Sequence, residues 1–250
     1  MNQSLPALAT PDLDTEIAAL ALRYQRANSP VMRLVNRIGG ALENRMDLVP
    51  DPFRAQLEAA TVRALEVAYG LAARTPELGG RGKVVAVMAS GAAGGAGGLA
   101  TALAELPVTV TLFLHAIRAE ARAAGLDPDA PGVREDCLRV FGAGSPLASD
   151  DGVNTGFFTA RLAMTGPTVK NLITAIAPKL AAVLGQKLAA QSVPVVGAVT
   201  GAALNAAFLA YYCEIARIRF ALLRLSQVHG AAPVLKAFTA AAEPPRVIRA

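Results

Sequence analysis

The sequence has no tryptophan, aromatic residues make up 5% of it and charged residues 17%, and it holds two cysteines and two histidines in 250 residues. Each scarcity excludes something. Two cysteines, Cys137 and Cys213, cannot staple a chain of this length and fit a reducing compartment. Two isolated histidines, His115 and His229, have no second histidine or cysteine at ligand spacing, so no zinc site is expected, nor any other metal or cofactor. Few aromatics, rarely beside basic residues, leave no stacking platform for bases, and no nucleic-acid partner is expected despite a formal charge of +5. Low charge and a hydrophobic content of 53% exclude general disorder. The first residues, MNQSLPALATPDLD, lack the basic start and long apolar run of a secretory leader, so the expected location is the cytoplasm, including the inner face of the cell membrane.

What the chain has in abundance is alanine, 53 residues of it, arranged at helical spacing. Thr10-Pro11-Asp12 reads as a helix start, followed by Leu13, Ile17, Leu20, Ala21 and Tyr24 on one face. Ser29-Pro30 opens a second helix with Val31, Leu34, Val35, Ile38 and Leu42, and Asp51-Pro52 a third that Thr75-Pro76 stops. The predicted fold class is all-α, a multi-helix bundle with two Gly/Ala-rich hydrophobic helical hairpins packed together. One domain over residues 1–242 is expected, with a flexible loop at about 142–156 and a disordered tail at 243–250.

Two long uncharged stretches stand out. Val84–Ala104 has no charge in 21 residues and Leu188–Cys213 none in 26. Length alone makes both membrane-span candidates. Small residues four apart, Gly91 with Gly95, Gly94 with Gly98 and Gly197 with Gly201, let helix backbones approach closely, in a membrane or in a soluble core. Alanine and glycine are weakly hydrophobic, and Pro107 and Pro194 interrupt or flank these runs, which favours burial in a bundle. Gly95, Gly97 and Ala100 also match G-x-G-x-x-A, but no acidic residue or set of alternating strands follows, so a dinucleotide site is not expected.

The segment GGAGGLATALAELPVTVTLFLHAIRAEARAAGLDPDAPGVREDCLRVFGAG resembles the central signature of EcsC family proteins: a glycine-rich stretch, an acid-aliphatic-proline step, a helix with basic residues, and a Cys-Leu-x-Val-Phe helix. A second signature is similar to KLAAQSVPVVGAVTGAALNAAFLAYYCEIARIRFALLRL, and together they cover about half the chain. The resemblance implies an α-helical, membrane-associated protein of a family named for a protein encoded beside an ABC-transporter pair in some bacteria. That family has no established biochemical role and no agreed catalytic residues, so none transfers. His115 stands where the family pattern suggests an arginine or an aliphatic residue, which argues against a family-wide histidine role.

Candidate residues follow from isolation. Glu105 is the lone acid between apolar neighbours, and Asn205 a lone asparagine on a small-residue face of the other apolar hairpin; the two are expected either to meet in a polar pocket or to serve as an ordinary salt bridge, helix cap and interhelix contact. Glu105, Cys137 and His115 are the weak catalytic candidates. Gly91, Gly94, Gly95, Gly98, Gly197 and Gly201 are the candidate packing glycines, and Arg33, Arg37, Arg45, Arg217, Arg219 and Arg224 the basic residues expected to face anionic headgroups or to form a solvated face. Two functions compete: a non-enzymatic helical protein that associates with an anionic membrane surface or lipid, and a hydrolase or small-ligand enzyme with an apolar pocket. An accessory subunit for transport or secretion, partnered with a membrane protein, shares every feature of the first.

Overall fold

A computed structural model describes residues 12–27, 51–71, 79–96, 99–143, 169–190 and 194–242, and among these there is no strand. The helices are α1 (Leu13–Ala27), α2 (Asp51–Leu71), α3 (Gly80–Ala96), α4 (Leu99–Ala123), α5 (Pro131–Arg139) with a 3-10 turn at Val140–Ala143, α6 (Val169–Ala190), α7 (Pro194–His229) and α8 (Ala231–Ala242). The all-α bundle predicted from periodicity is the fold. The expected helix after Ser29, the greater part of the 142–156 loop and the 243–250 tail lie outside the described residues.

Helix α7, 36 residues long, is the axis. Helix α3 runs antiparallel along its N-terminal half, α4 lies antiparallel to α3, and α1 runs antiparallel to the C-terminal half of α7. Helix α2 packs on α4 and α6, and α8 folds back onto α1 and α7. Two glycines make the turns that require a left-handed backbone. Gly125 (φ 77°) ends α4, with its N–H bonded to the Arg122 carbonyl and that of Leu126 to Ala121, which satisfies the last carbonyls of the helix. Gly230 (φ 81°) makes the turn between α7 and α8, its N–H bonded to the Ser226 carbonyl.

The core concentrates the scarce aromatics. Tyr212 is fully buried among Phe113, Phe141, Phe208 and Tyr211, with ring centroids 5.2–6.2 Å away. Such pairs add roughly 0.5–1.5 kcal/mol each beyond area burial.

Pro107, expected to interrupt or flank the first uncharged run, lies inside α4. Its missing N–H removes one intrahelical bond, but Leu106 and Val110 on either side are buried, and tertiary packing holds the helix through it. None of the described helices is long and apolar enough to cross a membrane. Helix α3 spans only about 26 Å at 1.5 Å per residue, against a hydrocarbon layer of about 30 Å. Its buried residues, Val87, Gly91, Gly94 and Gly95, form a stripe at i, i+4, i+7 and i+8 turned toward α4 and α7.

Candidate functional site

The two uncharged stretches meet where glycines bring three helices together. At Gly91, α3 touches α7 so closely that an added Cβ would stand 2.3 Å from the Gly201 carbonyl oxygen and 2.7 Å from Asn205 Nδ2. At Gly94, an added Cβ would stand 2.5 Å from Glu105 Oε2. Into this space project four polar side chains. Ser90 Oγ donates to Glu105 Oε1 at 2.6 Å and lies 2.8 Å from Thr109 Oγ1, which also donates to Glu105 Oε1. Asn205 Nδ2 reaches Glu105 Oε1 at 3.0 Å and the Val87 carbonyl at 3.1 Å. Glu105 and Asn205 therefore sit together, 8% and 0% exposed, in a knot that ties α3, α4 and α7. Asn205 Oδ1 is buried and has no hydrogen-bond partner among the described residues.

The other catalytic candidates lie elsewhere. His115 is buried in α4, about 15 Å from Glu105 along the helix by rise alone. Cys137 is buried in α5, where desolvation pushes its thiol up to about 12 despite the nearby Arg118. Burial likewise pushes Cys213 up to about 11. A thiol so held is protonated at neutral pH and is a poor nucleophile.

Cys137 borders a buried ionic cluster. Asp136, fully buried, accepts from Arg219 Nη2 at 2.7 Å and from Arg139 Nη1 at 3.1 Å. Arg118, 3% exposed, donates to the Pro128 carbonyl at 3.0 Å and to Asp129 at 2.8 Å, which holds the Asp129 carboxyl below its ordinary range. This cluster corrects the expectation that Arg219 faces headgroups: at 2% exposure it is a core residue, and its charge is matched inside the fold by Asp136. Arg217 and Arg224 are on the surface but paired, Arg217 with Glu120 (2.7 Å) and Glu214 (3.0 Å), Arg224 with Glu16 (3.7 Å). Arg33, Arg37, Arg45 and Gly98 lie outside the described residues, and Gly197 is placed only as part of α7.

Two surfaces carry chemistry. One is the outer face of α3, where Arg81, Val85, Met88 and Ala89 share one side of the helix at i, i+4, i+7 and i+8. Val85 is 66% exposed and Met88 40%, and no charge interrupts the helix after Lys83. The other is a groove of about 870 Å³ between α1, the start of α3 and α7. It is lined by Ala203, Ala206, Ala207 and Ala210 of α7 and by the charged residues Arg23, Arg26, Lys83, Arg217, Glu120 and Glu214. Arg23 binds Glu214 at 2.6 and 3.1 Å. Burial raises the Glu214 carboxyl, but hydrogen bonds from Arg23 and Arg217 outweigh it and leave the group below its ordinary value. None of Glu105, His115 and Cys137 lines the groove, and among the described residues no group of His, Cys, Asp and Glu is placed to hold a metal ion.

Comparison with known families decides the identity. The model of the EcsC protein family matches residues 74–225, which is more than half of the chain. The chain belongs to the EcsC protein family. No curated protein and no solved structure matched it. The EcsC match contains the whole Ser90–Glu105–Thr109–Asn205 knot and the Asp136–Arg219 pair, whereas Arg23 and Arg26 of the groove stand on α1, before the matched segment. Reading the sequence singled out Glu105 and Asn205 because each was polar in an apolar run. It missed Thr109 and Asp136, since a threonine in a β-branched run and an acid in a charged helix look ordinary. It also missed the groove, whose residues come from segments as far apart as Arg23 and Arg217.

Proposed function

We propose that this EcsC-family protein is a non-enzymatic peripheral binder of anionic lipid surfaces. The observation that carries the reading is the outer face of α3, a row of exposed apolar side chains, Val85 and Met88, following directly on the cation Arg81. Arg81 has no carboxylate partner among the described residues. An apolar strip with a basic end is what an interfacial helix presents to headgroups and the first part of the acyl layer. An apolar side chain contributes up to about 1.5–3 kcal/mol when fully buried, and each cation about 1 kcal/mol at an anionic surface. With two such apolar side chains and one such cation, association is reversible and sensitive to salt.

The hydrolase reading has less behind it. The knot around Glu105 is filled by its own hydrogen-bond donors, the Cys137 thiol is held protonated, and His115 stands too far along α4 to form an acid–base pair with Glu105.

Co-sedimentation with vesicles tests the proposal. The protein is expected to pellet with phosphatidylglycerol-containing vesicles, to stay in the supernatant with phosphatidylcholine, and to be released by high salt. Arg81→Gln should weaken partitioning about fivefold, the loss of one surface cation, and Val85→Asp combined with Met88→Asp should abolish it. Binding that ignores lipid charge, or that survives the double substitution, overturns the reading.

A further inference from the structure

We infer that the groove between α1, α3 and α7 is a binding site for a single-chain anionic amphiphile, one acyl chain ending in a carboxylate or phosphate. Its volume, about 870 Å³, falls in the range of small-molecule sites. Its lining combines alanines with charged side chains. Ala203, Ala206 and Ala207 on α7 line an apolar stretch of it. The cations gather further along α7: Arg23 and Arg217 both bind Glu214 there, about 16 Å from Ala203 at 1.5 Å per residue.

The charge count at that end selects the head group. Two carboxylates, Glu120 and Glu214, are taken up by Arg217 and Arg23 through paired contacts of 2.6–3.1 Å. Arg26 and Lys83 also line the groove and have no carboxylate partner among the described residues. Two unmatched cations in a groove with an apolar stretch complement an anion on a hydrocarbon chain; a zwitterion or a neutral alcohol leaves them unmatched. The small side chains of the lining matter too, because alanine at 203, 206, 207 and 210 leaves open the space that larger residues would fill. This site is distinct from the α3 face: Val85 and Met88 do not line it.

Displacement of a fluorescent fatty acid, used below its micelle concentration, tests the inference on the full chain. The probe should bind the wild-type protein and be displaced by a long-chain fatty acid and by lysophosphatidic acid, but not by lysophosphatidylcholine or a long-chain alcohol. The relative strength of the first two tells a carboxylate ligand from a phosphate one. Ala206→Trp fills the groove and should abolish probe binding while leaving vesicle co-sedimentation intact. Should that variant misfold, Arg26→Glu with Lys83→Glu, which alters only surface cations, should weaken probe binding on the order of tenfold or more. Val85→Asp with Met88→Asp should leave the probe bound. Binding that survives both groove variants, or displacement by lysophosphatidylcholine as effective as by the anions, overturns the inference. So does an Ala206→Trp protein that sediments as a smaller species than the lipid-free wild type, since a second copy would then occupy the groove. Loss of vesicle binding with the probe still bound would refute the α3 reading alone.

Discussion

A methyl group at Gly91 would stand 2.3 Å from a backbone carbonyl, that of Gly201, whereas at Gly94 it would meet the end of a side chain, Glu105 Oε2. The difference sets the expected order of two alanine substitutions. Carbonyl and helix move together, so Gly91→Ala must push α3 away from α7, and overpacking of this kind costs roughly 1–3 kcal/mol. Gly94→Ala displaces a carboxylate that is already hydrogen-bonded, and part of the strain relaxes by side-chain rotation. Gly70, in the last turn of α2, has nothing within 4 Å of its added Cβ, so Gly70→Ala should be neutral or stabilising by up to about 1 kcal/mol through helix propensity. Denaturant midpoints at unchanged m-value should rank the variants Gly70→Ala, Gly94→Ala, Gly91→Ala from most to least stable. That Gly91 and Gly201 lie on packing ridges was legible from their spacing. That they face each other was not, because spacing names the face of a helix and leaves the partner open.

Three helices converge on one carboxylate oxygen, and that is a property of the elements rather than of Glu105 alone. Ser90 from α3, Thr109 from α4 and Asn205 from α7 all aim donors at Oε1. Glu105→Ala strands these donors in a nearly dry site, which costs about 1–3 kcal/mol where a buried partner is lost. Glu105→Gln keeps an acceptor of the same shape and should recover most of that loss. If the knot serves stability only, both variants keep vesicle binding and probe binding while the midpoints separate. A loss of probe binding in a fully folded Glu105→Gln would instead give the carboxylate a role in ligand binding. The helices themselves were legible from apolar periodicity and from start signals such as Asp51-Pro52. Pro107 misled because a proline signals locally, whereas α4 is held through it by burial against α2, α3 and α7. Arg219 misled for the opposite reason: it reads as one of a surface group with Arg217 and Arg224, and only the approach of α5 gives it Asp136 as a buried partner.

At the scale of the whole molecule, burial raises the pKa of Cys137, Cys213 and Tyr212, and this sets how stability responds to alkali. Burial holds the Cys137 thiol protonated to about 12 and the Cys213 thiol to about 11, against an ordinary value near 9, and it shifts the Tyr212 hydroxyl upward as well. Between about pH 9 and those values the unfolded chain has lost protons that the folded chain retains. The unfolded state then binds fewer protons, so stability is full below pH 9 and falls as pH rises through this window. The ion pairs described above all use arginine, whose charge persists there, so they do not supply a competing alkaline limb. On the acid side the sign reverses: Asp129 and Glu214 sit below their ordinary values, and their contribution is present above about pH 4 and lost as pH falls. The thermal midpoint should therefore be level near neutrality and decline from pH 9 upward. Cys137→Ala should lower the midpoint everywhere by loss of packing yet flatten the alkaline decline. The slope is the decisive readout, since a cysteine that served only to fill space would change the level and leave the slope as it was.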